Sequence, residues 1–155
     1  MQLMRCGCAA LADTLAVIEG KDMRLNNLTD LANLLRGLSN DEPADGMGFD
    51  MRHTLEDSKF TDLECGSACC IGGWVHYINP ETEYLGLVPA VATLLPKALG
   101  LDDPLWNELQ QLCYPEGDDN EGAWEATPQQ AARAVEILRD TGKCDWDRAM
   151  QEVTA

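Results

Sequence analysis

Cysteine and histidine are the side chains in this sequence with the most distinctive chemistry. The 155 residues include seven cysteines and two histidines, and one group lies within a short stretch: Cys65, Cys69, Cys70 and His76. A zinc site takes four thiolate or imidazole ligands, commonly in pairs two to four residues apart. Cys65 and Cys69 fit that spacing loosely, whereas the thiols of Cys6 and Cys8 would point apart on a helix. We therefore predict no metal and no other cofactor, and the four grouped residues are the candidate ligands if a metal is bound.

A cysteine nucleophile is the second chemistry that this stretch permits. The amide dipoles at the start of a helix lower the pKa of a thiol there, and Cys65 is predicted to stand at such a start. Catalysis also needs a base beside the thiol, and only His53 and His76 are available for that role. A helix cap explains the same residues equally well. We predict a non-enzymatic protein without catalytic residues, and a metal- or thiol-dependent site between Cys65 and His76 is the alternative.

The charge of the chain is strongly unbalanced. It carries 27 Asp and Glu residues against 11 Lys and Arg residues, which gives a formal net charge of −16. A field of this sign repels phosphate backbones, so we expect no direct binding of nucleic acid. It favours a partner protein with a basic surface, although solubility alone also explains an acidic composition.

Two predicted loops, residues 39–48 and 116–125, hold many of the carboxylates, and Trp124 lies within the second loop. The second loop lacks the ligand spacing of a calcium site. An aromatic ring flanked by carboxylates is typical of an anchor for a protein partner, and it is also explained by a single buried ring that pins the loop. The predicted partner-binding residues are Asp41, Glu42, Asp45, Glu116, Asp118, Asp119, Glu121 and Trp124.

Apolar residues at steps of three and four predict the helices that position these loops. The predicted helices cover residues 4–18, 28–38, 65–78, a segment from residue 88, 104–112, 128–141 and 146–153. Asn27 and Asp145 are possible caps. Thr127 followed by Gln130 is a capping-box signal, and Gly142 is placed to end the helix that it starts.

These segments predict an all-α fold, a single compact domain of six or seven short helices in residues 1–155 around a central Cys/Gly-rich helix at residues 65–78. Gly72 and Gly73 each disfavour that helix by about 1 kcal/mol relative to alanine, so we expect another backbone to pass close to them. No apolar run approaches the roughly 18–20 residues of a membrane span. With no secretory signal at the start of the sequence, we expect a cytoplasmic protein.

Three segments of the sequence form an ordered pattern. They are FDM at residues 49–51, CGSACCIGGW at 65–74, and a third part with ALGL at 98–101, TPQQAA at 127–132 and TGKCDW at 141–146. The pattern resembles a family of small proteins of unassigned activity from bacteriophages, prophages and bacteria, with FDM, a CGTxACIAGW-like helix, LGL, TPEQA and TGxVDW. This resemblance implies a phage setting and a bacterial host cell, and it implies no chemistry. The two acidic loops depart from the family pattern.

Charge and resemblance together predict a protein-binding protein of phage type. We expect it to inhibit a host nucleic-acid-binding or defence protein by mimicking the charge of nucleic acid. A plain accessory protein that forms homo-oligomers through its helices is a further alternative.

Overall fold

The structure, a computed structural model, describes residues 24–40, 48–49, 51, 68–82, 85–95, 101–116 and 118–154. This part of the chain is mostly helical and confirms the all-α prediction. Its α-helices are α1 (Leu28–Arg36), α2 (Ile71–Ile78), α3 (Leu87–Ala92), α4 (Pro104–Cys113), α5 (Pro128–Thr141) and α6 (Trp146–Glu152). Two 3₁₀ helices, Pro80–Thr82 and Asp118–Glu125, lie between them. The predicted helix at residues 4–18 lies outside the described residues.

The predicted boundary of the central helix is wrong at its N-terminal end. Ala68 and Cys69 form a strand rather than a helical turn, and α2 begins only at Ile71, with Cys70 in extended conformation before it. Three strands of two residues each, β1 (Ser39–Asn40), β2 (Gly48–Phe49) and β3 (Ala68–Cys69), form a small parallel sheet in that order. Strands this short carry no detectable alternation, so the hydrophobic pattern does not predict them.

The first glycine of α2, Gly72, faces a side chain and not the backbone that we expected. A Cβ atom built on Gly72 would lie 2.5 Å from Leu87 Cδ2 and 2.8 Å from Leu87 Cβ. Real Cβ atoms do not approach other atoms this closely, so Leu87 at the start of α3 packs directly on the backbone of α2. Apart from the half-buried Tyr77, every residue of α2 is buried. This helix is therefore the centre of the packing.

Capping residues predicted from the sequence fix the start of α1 and both ends of α5. Asn27 caps α1 by accepting from the Asp30 amide at 2.8 Å. Thr127 and Gln130 form a reciprocal capping box at the start of α5, and Gly142 ends that helix with a left-handed φ of 71°. These caps satisfy amide and carbonyl groups that a helix cannot pair internally.

The helices pack in pairs around one hydrophobic core. α1 lies along α5, α2 contacts α3, α3 contacts α4, and α6 packs between α5 and the Asp118–Glu125 3₁₀ helix. Trp146 is buried at the start of α6, and its Nε1–H donates to the Gln111 carbonyl oxygen at 2.9 Å, which ties α6 to α4. No helix in the described ranges is long and apolar enough to span a membrane.

We expect Gly72→Ala to destabilise the protein by about 1–3 kcal/mol, because the added methyl group overpacks the contact with Leu87. The free energy of unfolding measured in urea tests this. Gly122→Ala is the matched control, since nothing lies within 4 Å of a Cβ at that position. In a Leu87→Ala background the same Gly72 substitution should cost less, because the contacts with Leu87 Cδ2 and Cγ are removed and only the one with Cβ at 2.8 Å remains. Equal costs in the two backgrounds would contradict the contact.

Candidate functional site

The thiols that the structure describes gather at the junction of three elements. Cys70 precedes α2, Cys113 ends α4, and Cys144 lies between α5 and α6. Cys70 and Cys113 are fully buried, and Cys144 is partly buried. Burial raises the pKa of Cys113 well above its ordinary value, and the nearby Cys70 and Cys144 thiols raise it further. The Cys113 thiol is therefore neutral at physiological pH.

A long-range hydrogen bond, which the sequence does not predict, holds the backbone of Cys144. Glu108 on α4 accepts a hydrogen bond from the Cys144 amide at 2.7 Å, across 36 positions of the chain. Burial raises the pKa of the Cys144 thiol to about 12, with further contributions from the charges of Glu108 and Asp145. A nucleophilic or metal-binding cysteine needs the opposite shift, because the thiolate is the reactive form. The environment of Cys144 is that of a structural thiol.

Among the candidate metal ligands that the structure describes, Cys69 and His76 do not share a helical face. Cys69 lies in β3, ahead of α2, so its spacing to His76 is not that of two residues on one helix. Within the described ranges, no group of three or more His, Cys, Asp and Glu residues is arranged to hold a metal. Cys65 and His53 lie outside those ranges.

His76 is part of a buried hydrogen-bond chain at the end of α2. Its Nδ1 lies 3.3 Å from Thr82 Oγ1, and that hydroxyl donates to the Asn79 carbonyl oxygen at 2.8 Å. Because the one hydroxyl proton is directed to Asn79, the contact with Thr82 requires the proton on Nδ1 of His76. Asn79 in turn bonds the backbone of Leu25 in both directions, Nδ2 to O at 2.9 Å and N to Oδ1 at 3.0 Å. These hydrogen bonds thus connect the C-terminal end of α2 to the backbone of Leu25.

The second acidic segment is ordered, in contrast to the predicted loop. Asp118, Asp119 and Glu121 belong to the Asp118–Glu125 3₁₀ helix, which packs against α6. Ala123 is buried, and Trp124 is half-buried against the core. The ring therefore pins this segment, one of the two roles expected of it. Glu116, two positions before the start of the 3₁₀ helix, is exposed. Asp41, Glu42 and Asp45 of the first acidic segment lie outside the described residues.

The five arginines in the described ranges are all bonded to carboxylates. Arg24 pairs with Glu81, Arg36 with Glu136, Arg133 with Glu136 and Glu152, Arg139 with Asp140, and Arg148 with Glu152. Most of these pairs are solvent-exposed, so each contributes little to stability. The pairs matter for the distribution of charge, because each described guanidinium offsets the charge of a carboxylate that lies outside the Asp118–Glu125 segment.

No family model, curated protein or solved structure matches the chain. The resemblance to the phage family therefore stays a prediction, and the geometry of the described residues carries the functional argument.

We expect the thiol of Cys144 to make stability fall at alkaline pH. Its pKa is about 12 in the folded state against an ordinary value of 9.0. Between these values the folded chain keeps a proton that the unfolded chain has lost, so the free energy of unfolding decreases as the pH rises above about 9, by at most about 1.4 kcal/mol per pH unit. Urea unfolding of the wild type and Cys144→Ser between pH 8 and 10.5 measures this.

The serine variant should show a shallower loss of stability with pH, because its hydroxyl group does not titrate in that range. Comparing the slopes, rather than the absolute stabilities, removes the contribution of the other titrating groups that the two proteins share. Parallel curves, or rapid labelling of Cys144 in the native protein at pH 8, would contradict a buried neutral thiol.

Proposed function

We propose that this chain is a non-enzymatic binding protein whose acidic surface engages a basic surface of a partner protein. The acidic surface consists of the 3₁₀ helix Asp118–Glu125, the adjoining Glu116, and Asp147 on α6. In this proposal the partner surface is one that otherwise holds a phosphate backbone, and the carboxylates take the place of the phosphates.

The observation that carries the proposal is an acidic segment without Lys or Arg whose backbone has a defined conformation. The sequence between Tyr114 and Thr127 contains five Asp and Glu residues and no Lys or Arg. Their mutual repulsion opposes any compact arrangement, yet the segment forms a 3₁₀ helix of eight residues. Runs of this length are uncommon for a 3₁₀ helix, so tertiary contacts must hold it. The buried Ala123 and the half-buried Trp124 supply those contacts.

The neighbouring helix adds to this charge. Asp147 on α6 is exposed, and its carboxylate accepts from the Gln151 side chain at 3.0 Å, which leaves its charge intact. Arg148 is the cation of α6, and it is bonded to Glu152 at 2.7 Å. The cation nearest in sequence to Asp147 is thus already matched by another carboxylate.

A fixed acidic surface has two physical effects on binding. It accelerates encounter with a basic surface, and it rejects acidic surfaces and nucleic acids through like-charge repulsion. Because the backbone that carries the carboxylates already has a defined conformation before the encounter, less conformational entropy is lost on binding than with an unstructured acidic segment. Both effects fit a competitor of nucleic acid better than they fit a catalyst.

The predicted setting completes the proposal. The resemblance to phage proteins points to a host nuclease or defence protein in the bacterial cytoplasm as the partner. Asp41, Glu42 and Asp45 would extend the acidic surface if they lie beside it, and the exposed part of Trp124 would provide its apolar contact.

We expect Asp118→Asn with Asp119→Asn to weaken partner binding about tenfold or more at low salt, since each lost charge removes part of the attraction to a basic surface. The immobilised chain is incubated with bacterial lysate at about 50 mM salt, and retained proteins are eluted by salt and, separately, by duplex DNA. A partner of the proposed kind leaves under both conditions, because salt screens the attraction and DNA competes for the same surface.

The matched control is Asp30→Asn with Glu81→Gln, which removes the same number of charges on α1 and on the Pro80–Thr82 3₁₀ helix. If the Asp118–Glu125 segment is the binding surface, the control variant still binds the partner protein, and the Asp118→Asn/Asp119→Asn variant does not. Equal loss in both variants would mean that only net charge matters. A partner whose binding is unchanged by salt, by DNA and by both pairs of substitutions would refute charge mimicry.

A further inference from the structure

The described helices form an apolar cavity whose lining includes no residue of the acidic surface. Its volume is about 280 Å³, and leucine side chains from four segments form most of its wall: Leu28, Leu94, Leu95, Leu105, Leu109 and Leu138. Leu109 is fully buried, and Leu28, Leu94 and Leu138 are at most 5 % exposed. The wall is therefore a part of the hydrophobic core that the helices leave unfilled.

The size of the cavity limits what it can hold. An engineered leucine-lined cavity of about 150 Å³ takes up one benzene molecule, which has six heavy atoms. By the same ratio a volume of about 280 Å³ accommodates about eleven heavy atoms. This is too small for a nucleotide or a long-chain lipid, and it fits a single short aliphatic chain.

One side of the cavity is polar. Thr29, in the first turn of α1, and Arg139, near the end of α5, belong to its lining and are both exposed, so they mark the side that meets solvent. Arg139 Nη1 donates to Thr29 Oγ1 at 3.1 Å. Because the threonine oxygen accepts this bond, its own hydroxyl proton is directed elsewhere and can be donated to a bound molecule.

The charges at this side argue against an anionic ligand. Arg139 also bonds Asp140 through Nε at 2.7 Å and Nη2 at 3.2 Å, so a carboxylate already matches its positive charge. The chain as a whole carries a net charge of −16, which repels anions. Besides Arg139, the polar side chains in the lining are Thr29 and Asn27, and Asn27 Oδ1 accepts from the Asp30 amide. Their hydroxyl and amide NH2 groups are neutral donors, whose natural complement is a neutral acceptor such as a ketone or ester oxygen.

We propose that this cavity binds a neutral aliphatic molecule of about eleven heavy atoms with one hydrogen-bond acceptor at its end. The hydrocarbon chain packs among Leu94, Leu105 and Leu109, and the acceptor oxygen receives the Thr29 hydroxyl proton. This site is independent of the acidic surface, and it does not depend on the function proposed for that surface.

The test uses 2-decanone, which has eleven heavy atoms, and the full chain labelled on leucine methyl groups. Titration should shift the methyl resonances of Leu105 and Leu109 to saturation, and decanoate, its anionic counterpart, should bind at least tenfold more weakly. The absence of saturable shifts up to the solubility limit of the ketone would overturn the proposal, and so would tighter binding of decanoate.

Three variants separate the cavity from general hydrophobic association. Leu105→Phe fills the cavity and should abolish saturation, whereas Leu85→Phe, at a residue 48 % exposed and outside the lining, should leave it unchanged. Thr29→Val keeps the shape and removes the donor, so 2-decanone should bind about fivefold more weakly, as expected for one neutral hydrogen bond. Unchanged binding in both Leu105→Phe and Thr29→Val would refute the site.

Discussion

The close contact between Gly72 and Leu87 is the constraint on which the remaining packing depends. The helix α2 is buried on nearly all sides, so neighbouring helices pack against it only where their side chains fit. At Gly72 the absence of a Cβ atom leaves the space that the Leu87 side chain occupies. Gly86, with a φ of 88°, turns the chain immediately before Leu87 and so allows this approach. Once α3 is fixed on α2, α4 packs on α3 and the buried Cys113 closes the junction. The thiols in this part of the molecule therefore serve packing.

A second group of contacts fixes the C-terminal half and with it the acidic surface. The Gln130 side chain completes the capping box of α5 and also donates through Nε2 to the Val153 carbonyl oxygen at 3.0 Å, after the end of α6. Trp146 ties the other end of α6 to α4. With both ends held, α6 offers a fixed side against which the Asp118–Glu125 3₁₀ helix packs. The position of this 3₁₀ helix thus depends on two buried side chains outside it, Gln130 and Trp146.

What the sequence predicts well is local in origin. The caps at Asn27, Thr127 and Asp145 and the stop at Gly142 need only neighbouring residues, and all four have the predicted roles. The failures involve long separations. The strand at residues 68–69 depends on pairing with residues 48–49, and the Arg139–Thr29 bond joins positions 110 residues apart. No periodicity encodes such pairings, so neither the true start of α2 nor the polar side of the cavity could be predicted. In the second acidic segment the anchoring by Trp124 was one of the two roles expected, whereas the 3₁₀ helix was not predicted, because its composition of Asp, Asn, Glu and Gly is typical of a loop.

The distribution of charge links the fold to the proposed function. If the acidic residues served solubility alone, cations and carboxylates would be expected to alternate over the surface, since this arrangement keeps solubility and limits repulsion. The described arginines instead pair with carboxylates on the helices or on the Pro80–Thr82 3₁₀ helix. The segment from Glu116 to Glu125 has no cation of its own and is nevertheless held in a defined conformation by Ala123 and Trp124. Like charges this close in sequence repel one another, and in the proposed function a basic surface of the partner would offset that repulsion on binding. In that proposal the electrostatic complement of the acidic surface lies on a second protein.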